Sequence, residues 1–213
     1  MKTQSYSAIK MYEQCPAKYK FSRIDKIPEP TGPAAERGKL IHAEIEAVLK
    51  GQLELVCDEL IYLLPKLDEW RQKNAQSELE FAVDSNWDPV DFSDSNAMFR
   101  GVIDLYIEQG NVALILDFKT GKERDYADQV RAYATAILAT KPHIHQVTPM
   151  IEFIDLQKST EYATIYGRDI EFMKSDVRGR INIIEHDKFF SANPSGLCKF
   201  CHYRKDNGGP CKW

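Results

Sequence analysis

The chain has 213 residues, 43% of them hydrophobic and 28% charged, and its 28 basic and 32 acidic side chains give a net charge of −4. This size and balance fit one globular domain, or one domain with a small appendage, and exclude a long disordered region. The acidic excess also excludes a general polyanion-binding protein, so any nucleic-acid site must be a local basic patch.

Neither end of the sequence suggests a membrane protein. The first residues, MKTQSYSAIKMYEQ, are polar and unlike a signal peptide, and no apolar run approaches transmembrane length. We therefore expect a cytoplasmic protein, in a bacterium or a phage-infected host, with no membrane partner. Structural disulfides are rare in that compartment, so the five cysteines are expected to be metal ligands, nucleophiles or core residues. Cys57 lies in an apolar helical stretch and is predicted to be a core residue.

Helices dominate the first part of the predicted structure. Apolar residues at helical spacing follow serine cap candidates near the N-terminus, and Pro16 interrupts that helix, which places Cys15 at a helix end or kink. Pro65 similarly kinks or splits the third helix. The predicted helices cover residues 5–23, 34–50, 53–74, 125–140 and 169–187.

The pattern then changes to the alternation of a β-strand. Gln109, Gly110 and Asn111 form a tight-turn signal that joins two strands into a hairpin. Helices before, between and after the strands predict an α/β fold with a mixed central β-sheet flanked by helices. The predicted strands cover residues 77–84, 98–108, 112–119, 146–154 and 161–167.

Two carboxylates and a lysine are expected to meet on this hairpin. Asp117 and Lys119 project from one face of their strand, because residues two apart share a face, while Phe118 points into the core. Asp104 lies on the neighbouring strand. Two carboxylates bind a hard cation such as Mg²⁺ or Mn²⁺, which activates water, and Lys119 can orient that water or offset charge on a phosphate.

The alternative interpretation of these residues is a surface salt bridge on an edge hairpin. The run VALILDF argues against it, because an almost continuous apolar segment is typical of a buried central strand. A charge at the end of such a strand is costly unless it is paired or bound to a metal.

Several motifs in order resemble the PD-(D/E)XK nuclease superfamily in its RecB-like branch. They are SYSAIKMYEQCP, GKLIH ending at His42, GVIDLY containing Asp104, LDFKTG containing Asp117 and Lys119, and DQVRAYA containing Gln129 and Tyr133. Each motif is weak alone, but their order is that of the family along nearly the whole chain.

The resemblance implies a role for each matching position. His42, Asp104, Asp117 and the backbone carbonyl of Phe118 would bind Mg²⁺ or Mn²⁺, with Lys119 as the catalytic lysine. Two residues of the following helix would contact DNA or orient the site; they are Gln129 and Tyr133. The family often has a further acid on the preceding strand, where Glu78 and Glu80 are both available, and Glu80, between Leu79 and Phe81, is the preferred candidate.

Four cysteines form a second constellation, with Cys15 near one end of the chain and Cys198, Cys201 and Cys211 near the other. They can act together only if the chain ends meet. By number, four thiolates fit zinc or an iron–sulfur cluster equally well. The resemblance to iron–sulfur nucleases of the CRISPR-adaptation and AddB types, which place one cysteine before the core and three after it, favours a structural [4Fe-4S] cluster over zinc.

These observations predict a single nuclease domain over 1–213, with its core at about 34–190 and cluster-binding segments at 1–25 and 191–213. The expected activity is metal-dependent hydrolysis of DNA, most simply as a single-stranded DNA exonuclease in recombination, repair or phage DNA processing. No nucleotide-binding G-x-x-x-x-G-K-[ST] motif is present, so a helicase or recombination partner would be a separate protein, and an oligomer is possible. The alternative is a metal-stapled DNA-binding or assembly subunit with little nuclease activity.

Overall fold

A mixed six-stranded sheet lies at the centre of the computed structural model, which describes residues 3–53 and 56–213. The first three strands form an antiparallel meander, the third and fourth are parallel, and the last two both pair antiparallel with the fourth. The predicted mixed sheet is therefore confirmed. The strands are β1 (Gln76–Val83), β2 (Phe99–Gln109), β3 (Val112–Lys119), β4 (Gln146–Phe153), β5 (Lys158–Glu161) and β6 (Ile165–Tyr166).

Helices cover both faces of this sheet, as predicted. One core joins α1, α5 and α6 to one face, and a second core joins α3 and α4 to the other. None of the described helices is long and apolar enough to cross a membrane. The helices are α1 (Tyr6–Gln14), α2 (Pro16–Tyr19), α3 (Pro33–Leu49), α4 (Leu64–Gln72), α5 (Ala127–Thr140) and α6 (Ile170–His186).

Two prolines set helix boundaries. Cys15 is extended, with φ −163° and ψ 108°, and Pro16 begins α2, so the predicted break falls at Cys15. Pro65 lies in the first turn of α4, where its missing N–H is not needed. It splits the predicted helix over 53–74 into a 3₁₀ turn, Asp58–Leu63, and α4. Positions 54 and 55 of that predicted helix lie outside the described residues.

The connections around β3 position the chemically interesting residues. A tight turn joins β2 to β3, with Gly110 at φ 64°, a conformation that glycine adopts without steric cost. The parallel pairing of β3 with β4 then requires a crossover, which α5 supplies. Asp117 and Lys119 therefore stand at the carboxyl end of β3, beside the first turns of α5.

Two details of the sequence prediction are wrong. The strand expected over 161–167 is divided into β5 and β6. A 3₁₀ turn, Ile154–Leu156, and a left-handed Gln157, φ 48°, start β5 at Lys158, and β6 pairs separately with the beginning of β4. Cys57 is exposed rather than buried. It precedes the 3₁₀ turn instead of lying within a helix, and Leu60 occupies the core at that point.

Candidate functional site

Asp117 and Lys119 form an ion pair at the end of β3, where Asp117 is only 6% exposed. Gln129 Nε2 donates a hydrogen bond of 2.9 Å to Asp117 Oδ1. Among the described residues, none donates a well-oriented hydrogen bond to the other carboxylate oxygen, Oδ2. That buried oxygen thus has an ionic partner but retains a lone pair for a cation.

A second set of contacts joins β2, β3 and α3. Asp104 Oδ2 accepts a hydrogen bond of 2.7 Å from Phe118 N. His42 Nε2 lies 2.9 Å from Phe118 O, and its Nδ1 lies 3.5 Å from Asp104 Oδ2. The ring of Phe118 packs in the core below, against Trp70. The structure therefore brings together the residues that the sequence suggested as metal ligands.

Glu78 completes this arrangement from β1. One ligand atom from each of His42, Glu78 and Asp104 lies within 4.8 Å of the others. Glu78 has a left-handed backbone, φ 52°, and drops out of the strand ladder, although Ser77 and Leu79 on either side of it pair with β2. This unusual conformation, rather than simple alternation, accompanies its place beside Asp104.

Glu80, the acid preferred in the sequence analysis, has a different position. It pairs with Val102 in the β1–β2 ladder and is exposed. Period-two alternation makes Glu78 and Glu80 equivalent, so the sequence pattern had no means of separating them. The geometry therefore favours Glu78 over Glu80 as the candidate acid on β1.

Crowded negative charge controls the electrostatics of the site. Burial, followed by the charge of Asp104, raises the pKa of Asp117, and the same two causes raise the pKa of Glu78. Burial lowers the pKa of His42, but its contact with Asp104 outweighs burial, so its pKa is raised overall. Burial likewise lowers the pKa of Lys119, and the attraction of Asp117 more than reverses that effect. A bound cation would relieve this repulsion between carboxylates.

Two depressions open beside these residues. The acidic pocket, of about 410 Å³, is lined chiefly by His42, Glu46, Glu78 and Asp104, and by one basic side chain, Lys39. The basic groove, of about 520 Å³, has α1 and α2 as one wall and Lys119 with α5 as the other. The residues that define the basic groove are Tyr6, Ser7, Lys10, Met11, Gln14, Lys18, Lys119, Gln129 and Tyr133.

Tyr133 has both a packing contact and a face toward the basic groove. Its ring meets Phe81 edge-on, with centroids 5.3 Å apart. Gly101 makes this contact possible, because a Cβ there would lie 2.8 Å from Phe81 and 3.1 Å from Tyr133. No periodic pattern of the sequence singles out Gly101, although it begins the GVIDLY motif.

The four cysteines line one cavity of about 160 Å³ between the N-terminal helices and the C-terminal tail. Cys15 Sγ accepts a hydrogen bond of 3.4 Å from Asn193 N, so the chain ends meet. The buried Tyr203 fixes the tail, donating to Ile27 O at 3.0 Å. Among the described cysteines, however, no three sulfur atoms form a compact group like that of His42, Glu78 and Asp104.

One glycine allows the tail to fold back on itself. A Cβ on Gly209 would lie 2.2 Å from the carbonyl carbon of Tyr203, so no other residue fits without a backbone shift. Cys211 N then donates to Tyr203 O at 2.9 Å, which returns Cys211 to the cavity.

Comparison with known proteins identifies the family of the chain. A sequence profile of the PD-(D/E)XK nuclease superfamily matches residues 3–205, and the chain therefore belongs to that superfamily. A provisionally named exonuclease from Eubacterium rectale has a similar fold, with a TM-score of 0.60, 13% identity, and 94% of this chain and 87% of that chain covered. The protein SSO0001 aligns with a TM-score of 0.49 at 16% identity over 100% of this chain and 87% of that one. No curated protein matches by sequence.

Membership of this superfamily makes the chain a nuclease of the PD-(D/E)XK class and implies a DNA substrate. The acidic pocket, the Asp117–Lys119 pair and the basic groove contain the kinds of group that phosphodiester hydrolysis uses. Carboxylates hold a hard cation, a lysine stabilises charge on phosphate, and a basic surface binds the polyanion.

Proposed function

We propose that the protein is a divalent-metal-dependent nuclease that degrades single-stranded DNA from an end, in recombination, repair or phage DNA processing. The observation that carries this proposal is the convergence of Glu78, Asp104 and His42 beside the Asp117–Lys119 pair. A histidine with several carboxylates suits Mn²⁺ as well as Mg²⁺. The nuclease core spans about 34–190 in this proposal, with cluster-binding segments at 1–25 and 191–213.

The donor set fits such a cation. Asp117 Oδ2 is buried without a well-oriented hydrogen bond among the described residues, and Asp104, His42 and the Phe118 carbonyl lie close by. A cation held by these groups supplies Lewis acidity, which activates water and neutralises charge on phosphate.

Each remaining residue has a distinct part in the proposed reaction. Lys119 orients the attacking water and stabilises the negative charge that grows on the phosphate oxygens. Gln129 holds the Asp117 carboxylate in place through its hydrogen bond of 2.9 Å. Tyr133 contacts the substrate from the wall of the basic groove.

We further propose that Cys15, Cys198, Cys201 and Cys211 bind a structural [4Fe-4S] cluster. Tetrahedral zinc with bonds of about 2.3 Å would bring its sulfur ligands to about 3.8 Å from one another. The four sulfurs instead surround a cavity of about 160 Å³ without a compact trio, which favours a larger group. Backbone N–H groups of Asn193 and Ser195 donate to two of the sulfurs, as is common around iron–sulfur clusters.

The decisive experiment uses single-stranded DNA labelled separately at its 5′ and 3′ ends, incubated with anaerobically purified protein and Mn²⁺ or Mg²⁺. We expect metal-dependent shortening from one end and no cleavage of circular single strands. Lys119→Ala should lower the rate by about 10²–10³-fold. Lys122→Ala, in the exposed loop after β3, is the matched control and should cut normally.

Two results would overturn the proposal in different ways. Cleavage of circular single strands would replace the exonuclease with an endonuclease. Binding of DNA without any cleavage would instead favour a DNA-binding or assembly subunit. Metal analysis distinguishes an iron–sulfur cluster from zinc at the four cysteines. A brown, iron-containing protein supports the cluster, and stoichiometric zinc contradicts it.

A further inference from the structure

We infer that a single strand of DNA runs along the basic groove, from Lys119 to the cysteine-lined cavity, and that Lys10 and Lys18 bind its phosphates. The inference rests on the proposed nuclease function and adds the surface on which the substrate lies. It follows from the helical spacing of the groove residues, their charge and the continuity of two cavities.

The first wall of the groove is one polar face of the N-terminal helices. Ser7, Lys10 and Gln14 are spaced by three or four residues along α1 and line the groove, together with Tyr6 and Met11. Lys18 joins them from α2, beyond the break at Cys15. Ile9, on the opposite side of α1, is 1% exposed and packs in the core. The polar face therefore stays open beside the catalytic lysine.

Charge favours an anionic occupant. Three lysines line the groove, Lys10, Lys18 and Lys119, and the described lining residues include no carboxylate. The acidic pocket has the opposite character, so a strand of phosphates is attracted to one side of the site and repelled from the other.

Both groove lysines of the N-terminal helices have acidic partners that a phosphate can replace. Lys10 Nζ lies 3.0 Å from Glu13, and Lys18 Nζ lies 3.4 Å from Glu29. These side chains are partly or largely exposed, and ion pairs of that kind contribute little stability. A nucleic-acid backbone can therefore compete for each ammonium group.

The groove continues into the cysteine-lined cavity. Gln14 and Lys18 line both, so a chain lying beside Lys119 can pass directly from one to the other. Phe200 and Trp213 border that cavity and are 76% and 63% exposed. Exposed aromatic rings stack on unpaired bases, which selects a single strand rather than a duplex.

The test measures binding of a fluorescent oligothymidine by anisotropy, without divalent cation, over a series of KCl concentrations. Each phosphate contact contributes about 0.7 to the log–log salt slope for single strands, so Lys10→Ala/Lys18→Ala should reduce the slope by about 1.4. Lys20→Ala is the matched control. Lys20 is also paired with a carboxylate, Asp25 at 2.6 Å, but lines neither cavity, and its loss should leave the slope unchanged.

A third variant tests the far end of the path. Phe200→Ala should weaken binding at least about fivefold through lost stacking, with an unchanged salt slope. Thermal unfolding and iron content should match wild type in all three variants, so that weak binding is not a consequence of misfolding.

The outcomes separate this inference from the proposed function. The proposed DNA path alone would be overturned if the salt slope of Lys10→Ala/Lys18→Ala were unchanged while the wild-type protein still showed cleavage that depends on Lys119. A wild-type protein that neither cuts nor binds DNA would overturn both. Tighter binding of duplex DNA or of RNA than of single-stranded DNA would overturn the proposed occupant.

Discussion

The acidic pocket and the basic groove differ in charge and are built from different parts of the chain. The pocket takes its side chains from α3, β1 and β2, and burial together with the charge of Asp104 raises the pKa of Glu78 there. The groove takes its side chains from α1, α2, β3 and α5, and its lining charges are lysines. Asp117 and Lys119 stand between them as an ion pair. Cation binding and substrate binding are thus separable by mutation.

Removing the central carboxylate should produce the largest effect. Asp117→Asn keeps the shape but loses the charge that binds the cation, so cleavage should fall by at least about 10³-fold. Binding of single-stranded DNA without metal should not weaken, because all three groove lysines remain and Lys119 is released from its ion pair. Rate and anisotropy measurements on one preparation check both parts. Equal loss of binding and cleavage would contradict the separation of the two regions.

The acidic pocket can be tested by comparing its two candidate acids. Glu78→Gln should weaken Mn²⁺ binding at least about tenfold, since Glu78 lies with His42 and Asp104. Glu80→Gln should change it little, because Glu80 is exposed and paired with Val102. Calorimetric or electron-paramagnetic titration with Mn²⁺ measures both. The reverse order would restore Glu80 as the acid of β1.

A glycine pair in the tail tests whether the cysteine-lined cavity and the acidic pocket are stabilised independently of each other. Gly209→Ala should destabilise the fold by roughly 1–3 kcal/mol and lower iron content, because its Cβ would collide with the Tyr203 backbone. Gly196→Ala is the control, since nothing lies within 4 Å of a Cβ there. Thermal unfolding and metal analysis check stability and iron, and Mn²⁺ titration should show an unchanged acidic pocket. Loss of Mn²⁺ binding would show that the tail also supports the pocket.

The smallest expected effect concerns a competing acid beside the groove. Glu29→Gln frees Lys18 from an exposed ion pair of 3.4 Å. Such pairs are worth about 0.2–1 kcal/mol, so DNA should bind about 1.4- to 5-fold more tightly at low salt. Anisotropy at two KCl concentrations measures the gain, which should shrink as salt rises. Weaker binding would indicate that Glu29 supports the groove rather than competes within it.

Local sequence patterns predict much of the arrangement of this site. Alternation along β3 placed Asp117 with Lys119 and turned Phe118 inward, and a tight turn placed Asp104 on the adjacent strand. Helical spacing put Gln129 and Tyr133 on one face of α5. These are relations between near neighbours, which chain geometry largely determines.

Some residues were missed or wrongly located from the sequence, because their positions are set by irregular backbone geometry or by tertiary packing. Glu78 reaches Asp104 through a left-handed backbone that no periodic pattern encodes. Gly101 is needed because Tyr133 and Phe81 meet above it, a contact between α5 and β1. Cys57 followed an apolar pattern but lies exposed before a 3₁₀ turn, where Leu60 takes the core position.

The meeting of the chain ends has a consequence for the order of assembly. The contact between Asp117 and Gln129 spans 12 positions, whereas the contact between Cys15 and Asn193 spans 178, so loop closure favours the first. Every residue of the acidic pocket and the basic groove has left the ribosome once Tyr133 has been synthesised and has emerged. Cys211 follows 78 positions later. During synthesis, the cysteine-lined cavity is therefore completed last, and any cofactor it receives is inserted into a domain whose hydrolytic centre can already be in place.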